Sequence, residues 1–176
     1  GCTMKRRALV WGLVLVCAPA LAWSADKAEQ DFEFAWRLLG DRQEYDTAAK
    51  KFAAFVKANP VHPKAAQALS YMGTCYAHLE KYGAAAQAYG RLLAEYPDAD
   101  SDLRLDAMLN GGHAHVRLQH YQQAADLYSA LLEAFGQNRK AENALFWRGE
   151  CYARLGREAA AKQGKARAWF GQAVHD

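Results

Sequence analysis

Leu69, Met72, Gly73 and Tyr76 fall at i, i+3, i+4 and i+7, so they share one face of a helix. After Leu79 and Tyr82 the same spacing returns in Ala85, Tyr89 and Leu92, which predicts a second helix. Pro97 marks its end, because proline cannot continue the backbone hydrogen-bond ladder. The whole pattern then recurs. Met108, Gly111, Gly112 and His115 are followed by Leu118, Tyr121, Ala124, Tyr128, Leu131 and Gly136. Leu145, Arg148, Gly149 and Tyr152 are followed by Leu155, Glu158, Ala161, Lys165 and Ala168. A weaker copy stands upstream: Phe32, Ala35, Trp36 and Leu39, then Tyr45, Ala48, Phe52, Phe55 and Pro60. Trp36, Gly73, Gly112 and Gly149 are thus 37, 39 and 37 residues apart. A fixed period of this length signals a repeat architecture whose unit is one supersecondary pair. A small residue such as Gly73 lets two antiparallel helices approach closely. The expectation is an all-α chain of about four antiparallel helix pairs over residues 29–176, with repeats at about 29–62, 66–99, 105–138 and 142–176.

These residues resemble the tetratricopeptide repeat. The family's large-x-x-Leu-Gly-x-x-Tyr, then Tyr-x-x-Ala-x-x-x-Tyr/Phe, then Pro is matched almost fully by the segment from Leu69 to Pro97. The next segment departs at two places, with Gly111 where Leu is usual and Gly136 where Pro is usual. The resemblance implies an α-solenoid, a right-handed superhelix of stacked helix pairs. It also implies a non-catalytic function, the binding of another protein. Within the family the chain is similar to envelope members such as the Tol-Pal-associated cell-division coordinator and the helical lipoprotein of the outer-membrane assembly machine. It lacks the coiled coil that precedes the repeats of the first and a proper lipidation site for the second.

The N-terminus follows other rules. Lys5, Arg6 and Arg7 precede an apolar run from Ala8 to Ala18, Pro19 breaks it, and Ala20-Leu21-Ala22 supplies a small-x-small cleavage pattern. Residues 1–22 are therefore expected to be a signal peptide with a short upstream extension before Met4, and 23–28 a short linker. The apolar run is short for a membrane span, which needs roughly 20 residues; membrane attachment would arise only through an uncleaved signal. Cys17 follows an apolar stretch, as a lipidated cysteine would, but Val16 before it is the wrong neighbour. The expected address is periplasmic or envelope-associated. Removing the signal also changes the charge argument. The chain has 22 Lys+Arg against 19 Asp+Glu, and the three bases of residues 1–22 account for the whole excess. A balanced mature chain gives no reason to expect nucleic acid.

No motif calls for catalysis, a cofactor or a metal. Cys75 and Cys151 occupy the same repeat position, where a small buried side chain is expected, and two repeats separate them, beyond disulfide reach. Asp98, Asp100 and Asp102 resemble the start of a calcium loop, but Leu103 and Leu109 stand where Gly and Glu are required. A helix-capping role for Asp100, Ser101 or Asp102 is the expectation. His113 and His115, two apart on a helix, point to different sides and cannot grip one metal together. Gly156 and Gly164-Lys165 fail the spacing of a phosphate loop, and Ala166 replaces its hydroxyl residue.

The family resemblance implies that first helices line a concave groove that holds a partner segment. In register, the residues facing it are Phe34 and Arg37, then Tyr71, Thr74 and His78, then Asn110, His113 and Arg117, then Trp147, Glu150 and Arg154. Phe34, Tyr71, Asn110 and Trp147 share one column, so three aromatic rings and an amide would line up, either along the groove or packed between neighbouring first helices. Ser70, Thr74, Leu109 and His113 replace the Lys and Asn of the carboxylate-clamp members, which argues against that subtype. The expected function is an interaction adaptor or scaffold of the cell envelope. The alternative is an accessory or glycan-binding subunit of an envelope enzyme complex acting on peptidoglycan or the outer membrane, where aligned rings would stack on sugars. In the last repeat, Glu158 and Lys165 stand where rings are expected, so Trp169 and Phe170 belong either to a terminal cap or to a surface awaiting a further unit.

Overall fold

The computed structural model describes residues 27–40 and 44–173. The expected signal peptide and residues 23–26 of the linker after it lie outside the described residues. Helix α1 covers 27–39. It is followed by α2 Tyr45–Ala58, α3 Ala65–His78, α4 Tyr82–Glu95, α5 Ser101–Arg117, α6 Tyr121–Phe135 and α7 Ala141–Ala173. No strand occurs among the described residues, and no described helix is long and apolar enough to cross a membrane. From α2 on, each helix packs on the next in chain order, α3 also touches α5, and α1 lays Phe32 against Phe52 and Phe55 of α2. The result is the expected helical-repeat solenoid, in which first helices of neighbouring repeats lie side by side.

Local chemistry sets the boundaries. Pro60 and Pro97 follow the ends of α2 and α4. Asp100 caps α5: its carboxylate accepts from the backbone N–H of Asp102 (2.9 Å) and Leu103 (3.3 Å), the capping role expected for this loop. The α3–α4 and α5–α6 turns are built alike. Glu80 and Gln119 adopt φ of 58° and 61°. Around them Lys81 N–H donates to Tyr76 C=O (2.9 Å) and His120 N–H to His115 C=O (2.9 Å), the hydrogen bonds of a left-handed helix stop.

The core is a row of rings on glycines. Tyr89 of α4 lies so close over Gly73 that a Cβ there would stand 2.7 Å from the ring, and Tyr128 of α6 covers Gly112 at 2.4 Å. Phe52 takes the corresponding place in α2 and packs edge-on against Phe32 at 5.7 Å. Leu69, Leu92, Leu105 and Leu131 fill the layers between and are fully buried. Each such side chain contributes about 1.5–3 kcal/mol relative to exposure. Cys75 and Cys151 are buried, unbonded thiols, as the repeat register requires; burial pushes Cys75 up to about 11.

Three expectations about core positions need correction. Trp36 takes the register place of Gly73 but is 54% exposed, because an indole is too large for the place that Gly73 and Gly112 leave to a tyrosine ring in the later repeats. In the last repeat, Leu145 and Tyr152 are 55% and 51% exposed. The reason is that α7 runs unbroken from Ala141 to Ala173, so among the described residues no second helix folds back over that face. Trp169 and Phe170 lie in its last turns, beyond the described side chains.

Candidate binding groove

The first helices α3 and α5 present their non-core sides to one groove, and Trp147 of α7 meets it at His113. At its centre, Thr74 and His78 of α3 meet Asn110, His113 and Arg117 of α5 around a pocket of about 300 Å³. These are five of the eleven residues expected to face a partner. Tyr82, Tyr89, Ala77 and Ala114 complete the wall. Helical spacing explains the convergence: Asn110, His113 and Arg117 stand three and four residues apart, as do Tyr71, Thr74 and His78, so each set forms one stripe.

The polar groups are held in place by neighbours. Thr74 Oγ1 lies 3.3 Å from Tyr89 Oη and 3.1 Å from Ser70 C=O, to which it donates. His78 stacks on Tyr45 at 4.5 Å. Arg117 lies over the Tyr82 ring at 4.6 Å, which fixes its guanidinium at the pocket rim. His113 packs against Tyr128 (5.9 Å) and Trp147 (5.4 Å), and its buried Nε2 has no hydrogen-bond partner within the protein. Burial lowers its pKa below 6.5, so it is a neutral polar group at neutral pH. His115, two residues on, lines a separate crevice with Gly90, Leu93 and Leu127, which places the two histidines on different sides of α5.

Trp147 carries the groove onto α7, where it also meets Phe146 at 5.5 Å. One turn further, Glu150 and Arg154 pair at 3.9 Å, and Arg154 donates to Tyr121 Oη at 3.2 Å. Tyr71 lies in a second pocket toward the N-terminal ends of α3 and α5, half-buried against Phe32 (6.1 Å) and Phe52 (5.5 Å). Phe34 is 46% exposed with Lys51 Nζ 5.5 Å from its ring, and Arg37 is exposed; both stand on α1, outside the two pockets. The aromatic column is therefore not a continuous exposed ladder. Tyr71 is partly core, and Trp147 is half-buried against His113.

The second pocket, about 490 Å³, adds acids to the groove that are not among the eleven expected residues: Asp100, Asp102 and Asp106, beside Gln67 and Ser70. Asp100 is engaged in its cap and Asp106 pairs with Lys140 at 2.6 Å. Asp102, Asp106, Asn110, His113 and Arg117 continue one helical stripe, so the signal was present. The repeat motif does not mark these acids, because its register residues in this helix begin only at Met108. The groove between α3 and α5 thus runs from a carboxylate end to a guanidinium end.

A stack of helix pairs with a polar groove along its first helices defines a helical-repeat scaffold. The chain belongs to the tetratricopeptide repeat family, whose model matches residues 32–100 and 109–170. Repeats of this family generally mediate contacts between proteins and are not catalytic units. No curated protein matches the chain.

Proposed function

We propose that this chain is a non-catalytic adaptor of the cell envelope, exported by the signal at residues 1–22, which holds a segment of a partner protein in the groove between α3, α5 and α7. The observation that carries the reading is the convergence of Thr74, His78, Asn110, His113 and Arg117 on one open pocket. Thr74, His78, Asn110 and Arg117 offer donors and acceptors at the pocket, with the unpartnered His113 Nε2 buried beneath them. Such a surface suits the main chain and polar side chains of a peptide. The likeness to periplasmic members of the family and the Lys5-Arg6-Arg7 leader support the envelope address. Sugar stacking finds less support, since Tyr71 is partly core and the aromatic column is not a continuous exposed ladder.

Asn110→Ala/Arg117→Ala changes two groove residues that are not core. Crosslinking in the envelope, with wild type and this variant side by side, tests the reading. A protein captured by wild type and lost with the folded variant is the expected result. Equal capture by both would remove the groove from the account. Recovery of the unprocessed chain in the cytoplasmic fraction would remove the envelope address.

A further inference from the structure

One face of α7 is bare. Leu145 and Tyr152 are exposed on it, and between and beyond them stand Gly149 and Gly156, where an added Cβ would meet nothing within 4 Å. In the two preceding repeats the equivalent face lies under a second helix, and the central glycine holds a tyrosine ring. The chain supplies no such ring here: the place taken by Tyr89 and Tyr128 is Lys165.

Large and small residues on this face follow a self-complementary order. Leu145 and Gly156 lie equally far from a centre between Glu150 and Cys151, and so do Tyr152 and Gly149. Two α7 helices laid antiparallel about that centre set each Tyr152 over the other's Gly149, and each Leu145 over the other's Gly156. The spacing of four, three and four residues is that of an antiparallel knobs-into-holes seam. Ala159 comes level with Glu142 of the other copy, so the ends of the seam bring no like charges face to face.

We propose that this chain forms a two-fold homodimer through α7, in which each copy's α7 takes the place of the other's missing second helix. The interface is isologous, one patch meeting itself, and therefore closes at two. Tyr152 does for Gly149 across the interface what Tyr89 does for Gly73 within the chain. The other sides of α7 stay as they are: Ala144 and Cys151 remain in the core, and Trp147 and Arg154 remain on the groove. A dimer built this way carries two open grooves.

Sedimentation velocity of the full chain over a concentration series tests the seam. Wild type should dimerise, and Gly149→Tyr and Tyr152→Gly should each weaken the dimer by about tenfold or more, a step of about 1.4 kcal/mol or more. Gly149→Tyr sets ring against ring, while Tyr152→Gly leaves hole against hole. The double exchange Gly149→Tyr/Tyr152→Gly restores ring on glycine in the same register and should recover the dimer. Circular dichroism should show each variant as helical as wild type, since the site is open within one copy. A wild type that stays monomeric would overturn the proposal, as would single changes without effect or a double exchange that fails to rescue. A monomer whose melting temperature falls with Gly149→Tyr would overturn it in favour of the chain's own residues 157–173 covering the face. Gly156, which stands in the register of Glu80 and Gln119, would then be the turn.

Discussion

At Gly73 and Gly112 a hydrogen stands where any side chain would strike a tyrosine ring that is itself buried. Gly73→Ala or Gly112→Ala should therefore cost about 1–3 kcal/mol by overpacking, read as a lower urea midpoint. Gly149→Ala has open space and should gain up to about 1 kcal/mol from helix propensity, measured at a concentration where the chain is monomeric. The two rings differ at their hydroxyls. Tyr89 Oη lies within hydrogen-bond distance of Thr74 Oγ1, whereas Tyr128 Oη is buried without a protein partner. Tyr89→Phe should then destabilise by about 0.5–1.5 kcal/mol, while Tyr128→Phe should be neutral or stabilising. His113 gives a pH dependence of known sign. Burial lowers its pKa in the folded chain, so the unfolded chain takes up a proton first as pH falls. Stability held above pH 6.5 is lost on acidification through 6.5 toward the folded value. His115 acts in the same direction through burial and its neighbour His120. His113→Asn should flatten the slope of urea midpoint against pH between about 7 and 5.

Helix ends decide how the elements meet. Asp100→Ala removes the α5 cap and should cost about 1 kcal/mol, a loss without counterpart in α2, α3, α4 or α6, whose N-termini have no side-chain cap. Glu80→Gly and Gln119→Gly relieve left-handed backbone and should each stabilise by about 1 kcal/mol, seen as higher melting temperatures. Much of this level was legible in the sequence, because the i, i+3, i+4, i+7 spacing of Leu69, Met72, Gly73 and Tyr76 reports the buried face directly. The continuity of α7 was not. Leu155 and Gly156 copy Leu79 and Glu80 closely enough to read as another turn, and only Glu158 and Lys165, where rings should be, betray that no helix packs back. The groove was half legible for a related reason. Asn110, His113 and Arg117 stand opposite the core spacing, but Asp102 and Asp106 lie ahead of Met108, where the repeat motif marks no position.

Across the whole molecule, stability in a stacked array follows nearest-neighbour contacts, so its middle is held from both sides and its last unit from one. Amides of α3, α4 and α5 should exchange slowest with deuterium. Those of α7 beyond Leu155, where the described side chains are exposed, should exchange fastest. A flat profile by mass spectrometry would contradict that picture. The acid-to-guanidinium run of the groove has a different kind of consequence. A channel with Asp102 at one end and Arg117 at the other has a direction, like a keyed connector. A peptide with a basic and an acidic end would seat one way round, and the same residues in reversed order would find each charge facing its like. The polarity of the bound segment, and so the side from which the rest of its protein departs, is written in the spacing of two residues on α5.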